Sequence, residues 1–99
     1  MNVLMVRAKI REENVADARA AIEKVIQALG QSQPAGVRYA SCLLGDGVTF
    51  IALLKLADDG SHPLRGFPAY QEMVENLKQW YAEPPAVERM TVTGSYGLF

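Results

Sequence analysis

The sequence holds one cysteine and one histidine in 99 residues, and each scarcity removes a class of function. A lone Cys42 excludes an internal disulfide framework and a thiolate-rich metal site, because both need several sulfurs at defined spacings. A lone His62 excludes a histidine cluster, and no H-E-x-x-H or comparable ligand spacing occurs. The glycine-rich fingerprint that cradles a dinucleotide is missing as well. The chain is therefore expected to carry no metal, flavin or haem.

Charge of one sign is also scarce. Ten lysines and arginines against eleven aspartates and glutamates leave a net charge of −1, without the basic excess of a dedicated nucleic-acid binder. No apolar run approaches the ~18 residues of a membrane-spanning helix. Arg7 and Lys9 interrupt the opening stretch MNVLMVRAKI, so it does not read as a leader. These absences fit a protein of the reducing cytoplasm.

What is present is an ordinary globular composition, 49% hydrophobic and 21% charged, unlike that of disordered chains. The length fits one domain over residues 1–99. A core of that size buries only about two thirds of the unfolded surface, so association with another copy would add stability.

Val3 to Ile10 alternate as a strand, with Leu4, Val6, Ala8 and Ile10 on one face and Met5, Arg7 and Lys9 on the other. Asn14 then stands where a helix N-cap would. Val15, Ala18, Ile22, Val25, Ile26 and Leu29 follow at helical spacing, with Gly30 as the stop. Gln31 to Gly36 reads as a connection. Val37–Leu44 and Val48–Leu56 form a hairpin about a three-residue loop, Gly45-Asp46-Gly47, whose glycines supply left-handed positions.

Ala57 to Phe67 contains Asp58, Asp59, Gly60, Pro63 and Gly66 and reads as an irregular surface loop. From Pro68, the positions Tyr70, Met73, Val74, Leu77, Trp80 and Tyr81 predict a second amphipathic helix that ends before Pro84-Pro85. Val87 to Tyr96 adds a fourth strand before an apolar tail, Leu98-Phe99. The order is βαββαβ. It predicts an α+β, ferredoxin-like fold with a four-stranded antiparallel sheet and both helices on one face.

That topology leaves the other sheet face without cover from its own chain. Met5, Ile51 and Leu53 give it an apolar centre, and Arg7, Lys9, Thr49 and Lys55 give it a polar margin, as an interface patch often has. A homodimer is the expected form.

The stretch FPAYQEMVENLKQW, Phe67 to Trp80, followed by PPAVERMTVTGSY, resembles the second helix, proline-containing exit and last strand of the antibiotic biosynthesis monooxygenase-like family. The likeness covers nearly the whole chain and implies a dimeric α+β barrel of ferredoxin-like protomers. Within that family it implies either a cofactor-independent oxygenase of polycyclic aromatics and quinols or a protein without assigned activity. In the haem-degrading branch the resemblance would call for an Asn on the first strand with a Trp and a His later in the chain, but Val6 and Arg7 hold the central strand positions here and Asn2 comes too early, so haem degradation is not expected.

His62 is the candidate catalytic group, as acid, base or hydrogen-bond partner, in the loop before the second helix. A surface histidine is the competing reading. Tyr70, Trp80 and Tyr81 are candidate ligand-binding residues lining an apolar pocket between that helix and the sheet, although their place on the apolar stripe also suits core packing. Arg65 is a candidate contact for an anion. Arg7, Lys9 and Arg11 read as a solvated or interfacial row, Glu12-Glu13 and Asp58-Asp59 as solvated pairs, and Cys42 as a small interior residue of the second strand. A hydrophobic, aromatic ligand follows from these candidates, bound by an oxygenase or by a non-enzymatic binding or assembly module.

Overall fold

Alternating side chains make Asn2–Lys9 a strand, β1, in the computed structural model, which describes all of residues 1–99. Val6, Ala8 and Ile10 turn toward the helices. A 3₁₀ turn at Glu12–Asn14 leads into α1, Val15–Ser32. Asn14 stands at the N-cap, but its side-chain amide donates to Asp17 at 2.9 Å instead of capping the backbone. The helix passes through Gly30, the expected stop, and closes at Gln33, whose φ of 46° is left-handed and whose N–H donates to the Leu29 carbonyl at 2.8 Å. A glycine inside a helix costs only about 1 kcal/mol, too little to end it where the next residues keep bonding.

The hairpin forms between β2, Tyr39–Leu43, and β3, Thr49–Lys55. Leu44 and Val48 join its turn, which is therefore longer than three residues. Gly47 takes a φ of 77°, and the Asp46 carboxylate accepts the N–H groups of Val48 (3.0 Å) and Thr49 (2.9 Å) and the Thr49 hydroxyl (2.6 Å). Those bonds hold the Asp46 carboxyl down at about 2.

Helix α2 spans Pro68–Leu77, with proline in its first turn, where no backbone donor is needed. It ends four residues before Tyr81. Lys78–Trp80 form a tight turn, and the Arg11 N–H to the Trp80 carbonyl (2.9 Å) and the Ala82 N–H to the Lys9 carbonyl (2.8 Å) draw the chain onto the end of β1. Tyr81 thereby bridges Ile10 rather than continuing the helix. The last strand, β4, is Ala86–Thr91, shorter than expected, because the tail turns back and Ser95 bonds Phe99.

All pairings are antiparallel and the sheet order is β2-β3-β1-β4, which is the ferredoxin-like arrangement. Ile10, Ala18 and Phe50 form one core cluster and Ala21, Val25 and Met73 another, so α1 and α2 share one sheet face. On the opposite face the register aligns Ala40, Leu53, Met5 and Glu88 in one row and Cys42, Ile51, Arg7 and Ala86 in the next. Met5, Ile51 and Leu53 are only half-buried there. Cys42, expected in the interior, is exposed on this face, because β2 is an edge strand and position 42 points away from the helices. No helix is long and apolar enough to cross a membrane.

Candidate ligand site beside the second helix

The loop between β3 and α2 is held by its own turns and by one anchor. Ala57 and Ser61 bond at 3.0 Å, Gly60 donates to the Ala57 carbonyl at 2.8 Å, and Leu64 is buried to 1% exposure. An anchored apolar residue between short turns fixes where the neighbouring polar side chains emerge. His62 and Arg65 emerge beside the first turn of α2.

The Leu64 N–H donates to Nδ1 of His62 at 3.2 Å, and Nε2 of His62 lies 3.3 Å from the Tyr70 hydroxyl. Because Nδ1 is engaged as an acceptor, the proton of the neutral ring sits on Nε2 and is donated to the Tyr70 oxygen. Burial, then the nearby Arg65 charge, lowers the His62 pKa, so the ring is neutral at neutral pH. In this tautomer neither ring nitrogen has a free lone pair. Of the roles expected for His62, the geometry therefore supports that of hydrogen-bond partner. The Tyr70 hydroxyl keeps its own proton free to donate outward.

His62, Arg65, Tyr70, Gln71, Val74 and Glu75 line an open groove of about 390 Å³. Gln71 Nε2 donates to the Arg65 carbonyl at 2.8 Å and so ties the loop to α2. Glu75 is paired with Lys78 at 2.9 Å, the only ion pair in the chain, so the Arg65 guanidinium has no acidic partner.

Tyr70 and Val74 also face inward, onto a second, apolar cavity of about 70 Å³ between α2 and the sheet. Tyr39, Phe50, Leu77 and Tyr81 are among its other walls. Tyr39 meets Tyr70 edge-on, with ring centroids 6.4 Å apart at 89°. Burial, then the neighbouring Tyr70, pushes the Tyr39 hydroxyl up to about 12, and burial also raises Tyr70 and Tyr81. These phenols stay protonated and act as donors. A cavity that takes a benzene ring measures about 150 Å³, so an aromatic ring enters this one only if Tyr70 moves aside and joins it to the groove.

The structure thus brings His62, Arg65 and Tyr70 together and sets Tyr81 behind Tyr70 in the inner cavity. It places Trp80 elsewhere, in a groove between the outer sides of α1 and α2 with Asp17, Lys24 and Glu72, packed against both core clusters. Arg7 and Lys9 are exposed on the open sheet face, while the Arg11 guanidinium donates to the Gln79 carbonyl. Asp59 accepts hydrogen bonds from Ser61, which lower its pKa. Asn2 begins β1 opposite Thr91, at the far end of the strand from Ile10 and Tyr81. No group of three or more His, Cys, Asp or Glu side chains converges anywhere. Tyr39 was not singled out from the sequence. Its only signal there was its alternation with Ser41 and Leu43.

No family model matches the sequence, and no curated protein matches it significantly. Solved structures do match its fold. A protein from Nitrosomonas europaea provisionally named an antibiotic biosynthesis monooxygenase superposes with a TM-score of 0.81 at 15% identity, covering 95% of this chain and 100% of the other. A second antibiotic biosynthesis monooxygenase gives 0.74 at 9% identity over 95% and 100%. Another Nitrosomonas europaea protein, of unknown function, gives 0.68 at 17% over 96% and 91%. At such identities the likeness is one of architecture. The chain has the ferredoxin-like α+β fold of antibiotic biosynthesis monooxygenase-like structures.

Proposed function

We propose that this chain is a cytoplasmic homodimer that binds a planar, hydrophobic aromatic compound beside α2. The observation that carries this reading is the position of Tyr70. One side of its ring borders an apolar cavity and its hydroxyl opens on a polar groove. A flat apolar body can lie against the Tyr70 ring and Val74 while its polar end faces Arg65 and the Tyr70 hydroxyl in the groove. The lone, exposed Cys42 suits a reducing compartment. The half-buried patch of Met5, Ile51 and Leu53 suits a second copy, with Glu88 of one copy available to Arg7, Lys9 or Lys55 of the other.

A second reading, oxygenation of the bound compound without a cofactor, is favoured by the fold shared with structures named as monooxygenases. The substrate would be an electron-rich phenol or quinol, held as its anion by Arg65 and the Tyr70 hydroxyl while the groove returns the proton to solvent. Dioxygen is the oxidant. The substrate gives up two hydrogens and two electron pairs, one oxygen atom stays in the product and the other leaves as water. His62 positions Tyr70 in this scheme and does not itself take the proton.

Oxygen uptake with a panel of naphthols and naphthoquinols separates the readings. Enzyme-dependent uptake, with one oxygen consumed per product formed, supports oxygenation. Saturable binding without uptake above the buffer rate leaves a binding module. Absence of saturable binding across the panel rejects both.

A further inference from the structure

The groove beside α2 is unbalanced in charge, and that imbalance identifies its ligand more closely. Two ionised groups border it, Arg65 and Glu75. Glu75 already holds Lys78 at 2.9 Å, whereas no carboxylate lies within ion-pair distance of Arg65. The third titratable group that faces Arg65, His62, is neutral in the tautomer its Leu64 contact imposes. The groove therefore presents one uncompensated positive charge.

Beside Arg65, the Tyr70 hydroxyl adds a donor. One lone pair of the Tyr70 oxygen receives the His62 Nε2 proton, which leaves the Tyr70 hydroxyl proton directed to a ligand. The Gln71 amide nitrogen is occupied by the Arg65 carbonyl. That same bond, with the weaker Arg65 N–H contact to the His62 carbonyl at 3.4 Å, fixes the backbone from which the guanidinium extends. A cationic fork on a held stem beside a hydroxyl donor is the arrangement that receives an anionic oxygen pair.

We infer that the ligand is an aromatic monoanion, a flat apolar body bearing one carboxylate or acidic hydroxyl, and that Arg65 is the residue selecting it, with the Tyr70 hydroxyl as second donor. This rests on the proposed aromatic site beside α2 and adds its charge specificity. A neutral compound leaves the guanidinium unanswered, and a cation is repelled. Because Arg65 is exposed and already hydrated, the discrimination is about tenfold rather than thousandfold, and it weakens as salt screens the pair.

The test titrates three probes of similar shape, 1-hydroxy-2-naphthoate, 1-naphthol and 1-naphthylmethylamine, into the full-length protein at neutral pH and follows their own fluorescence. The naphthoate should bind roughly tenfold tighter than naphthol, with the amine weakest, and the gap should narrow in high salt. Arg65→Gln should bring the naphthoate to the level of naphthol while weakening naphthol far less, and Arg65→Lys should restore part of the preference. Thermal melting should be the same for both variants, because the Arg65 side chain supports no packing. Equal binding of naphthoate and naphthol by the unaltered protein, or equal weakening of both by Arg65→Gln, would overturn the charge selection while the aromatic site stands. Failure of all three probes to bind would overturn the site as well.

Discussion

Both faces of the sheet carry large apolar side chains, but they are in different circumstances. On the helix side Phe50 and Leu54 are 8% and 3% exposed, and Phe50 packs against Ala18 of α1 and Leu77 of α2. One residue along the same strand, Ile51 and Leu53 lie on the other face, away from both helices, and remain half-buried. Strand alternation separates the two sets but does not rank them. Topology does, by sending both crossovers to one side. The covered face is finished within one chain and the open face is the one proposed to meet a second copy, so substitutions on the two should fail in different ways.

The largest expected effect is on the covered face. Phe50→Ala removes a ring packed against Ile10 and Ala18 and should cost about 3–5 kcal/mol in urea unfolding, much of the roughly 5–15 kcal/mol that holds such a domain. On the open face, Ile51→Asp should leave the circular dichroism intact and divide the proposed dimer. Light scattering should then read the 10.9 kDa chain mass instead of twice that value, with dissociation at least ~100-fold easier because each copy would bury an unpaired carboxylate. If Ile51→Asp destabilised the chain as much as Phe50→Ala, the contrast between the faces would be wrong.

A smaller effect belongs to the groove at the helix edge. Tyr70→Phe keeps the ring against Tyr39 but loses the hydroxyl, so stability should change by less than about 1 kcal/mol while ligand affinity falls several-fold. His62 supplies a pH signature. Its folded pKa lies below the ordinary 6.5, so the unfolded chain binds the proton more readily. The stability it contributes is full above 6.5 and is lost as pH falls through its lower folded pKa. Unfolding titrations from neutral pH downward should show that slope, and His62→Gln should flatten it. The smallest effect is at the hairpin. Asp46, depressed to about 2, contributes stability that is full above 3.8 and lost as pH falls toward about 2. Asp46→Asn should lower the melting temperature at neutral pH and reduce its decline in acid.

Local chemistry made much of the fold legible. Alternation located β1, the Gly-Asp-Gly cluster located the hairpin, and Pro68 marked the start of α2. What escaped was set by contacts between distant residues. The apolar stripe ran on to Tyr81, but backbone bonds from Lys9 and Arg11 unwound the helix after Leu77. That unwinding sends Trp80 and Tyr81 to different places, so residues that share a helical stripe on paper do not share a cavity. Within the site, the nearness of His62, Arg65 and Tyr70 in sequence made their grouping readable, the bonded pair being eight positions apart. Tyr39 escaped because its partner lies across the fold on α2, which no local pattern records. Cys42 escaped because its exposure depends on β2 being an edge strand.

The most direct test of a ligand site at Tyr70 is a titration of 1-hydroxy-2-naphthoate followed by backbone amide resonances of the whole chain. Saturable shifts should cluster on His62 to Gln71, on Val74 and on Tyr39 across the cavity. Shifts confined to the groove around Trp80 or to the open sheet face, with His62 and Tyr70 unmoved, would contradict the account.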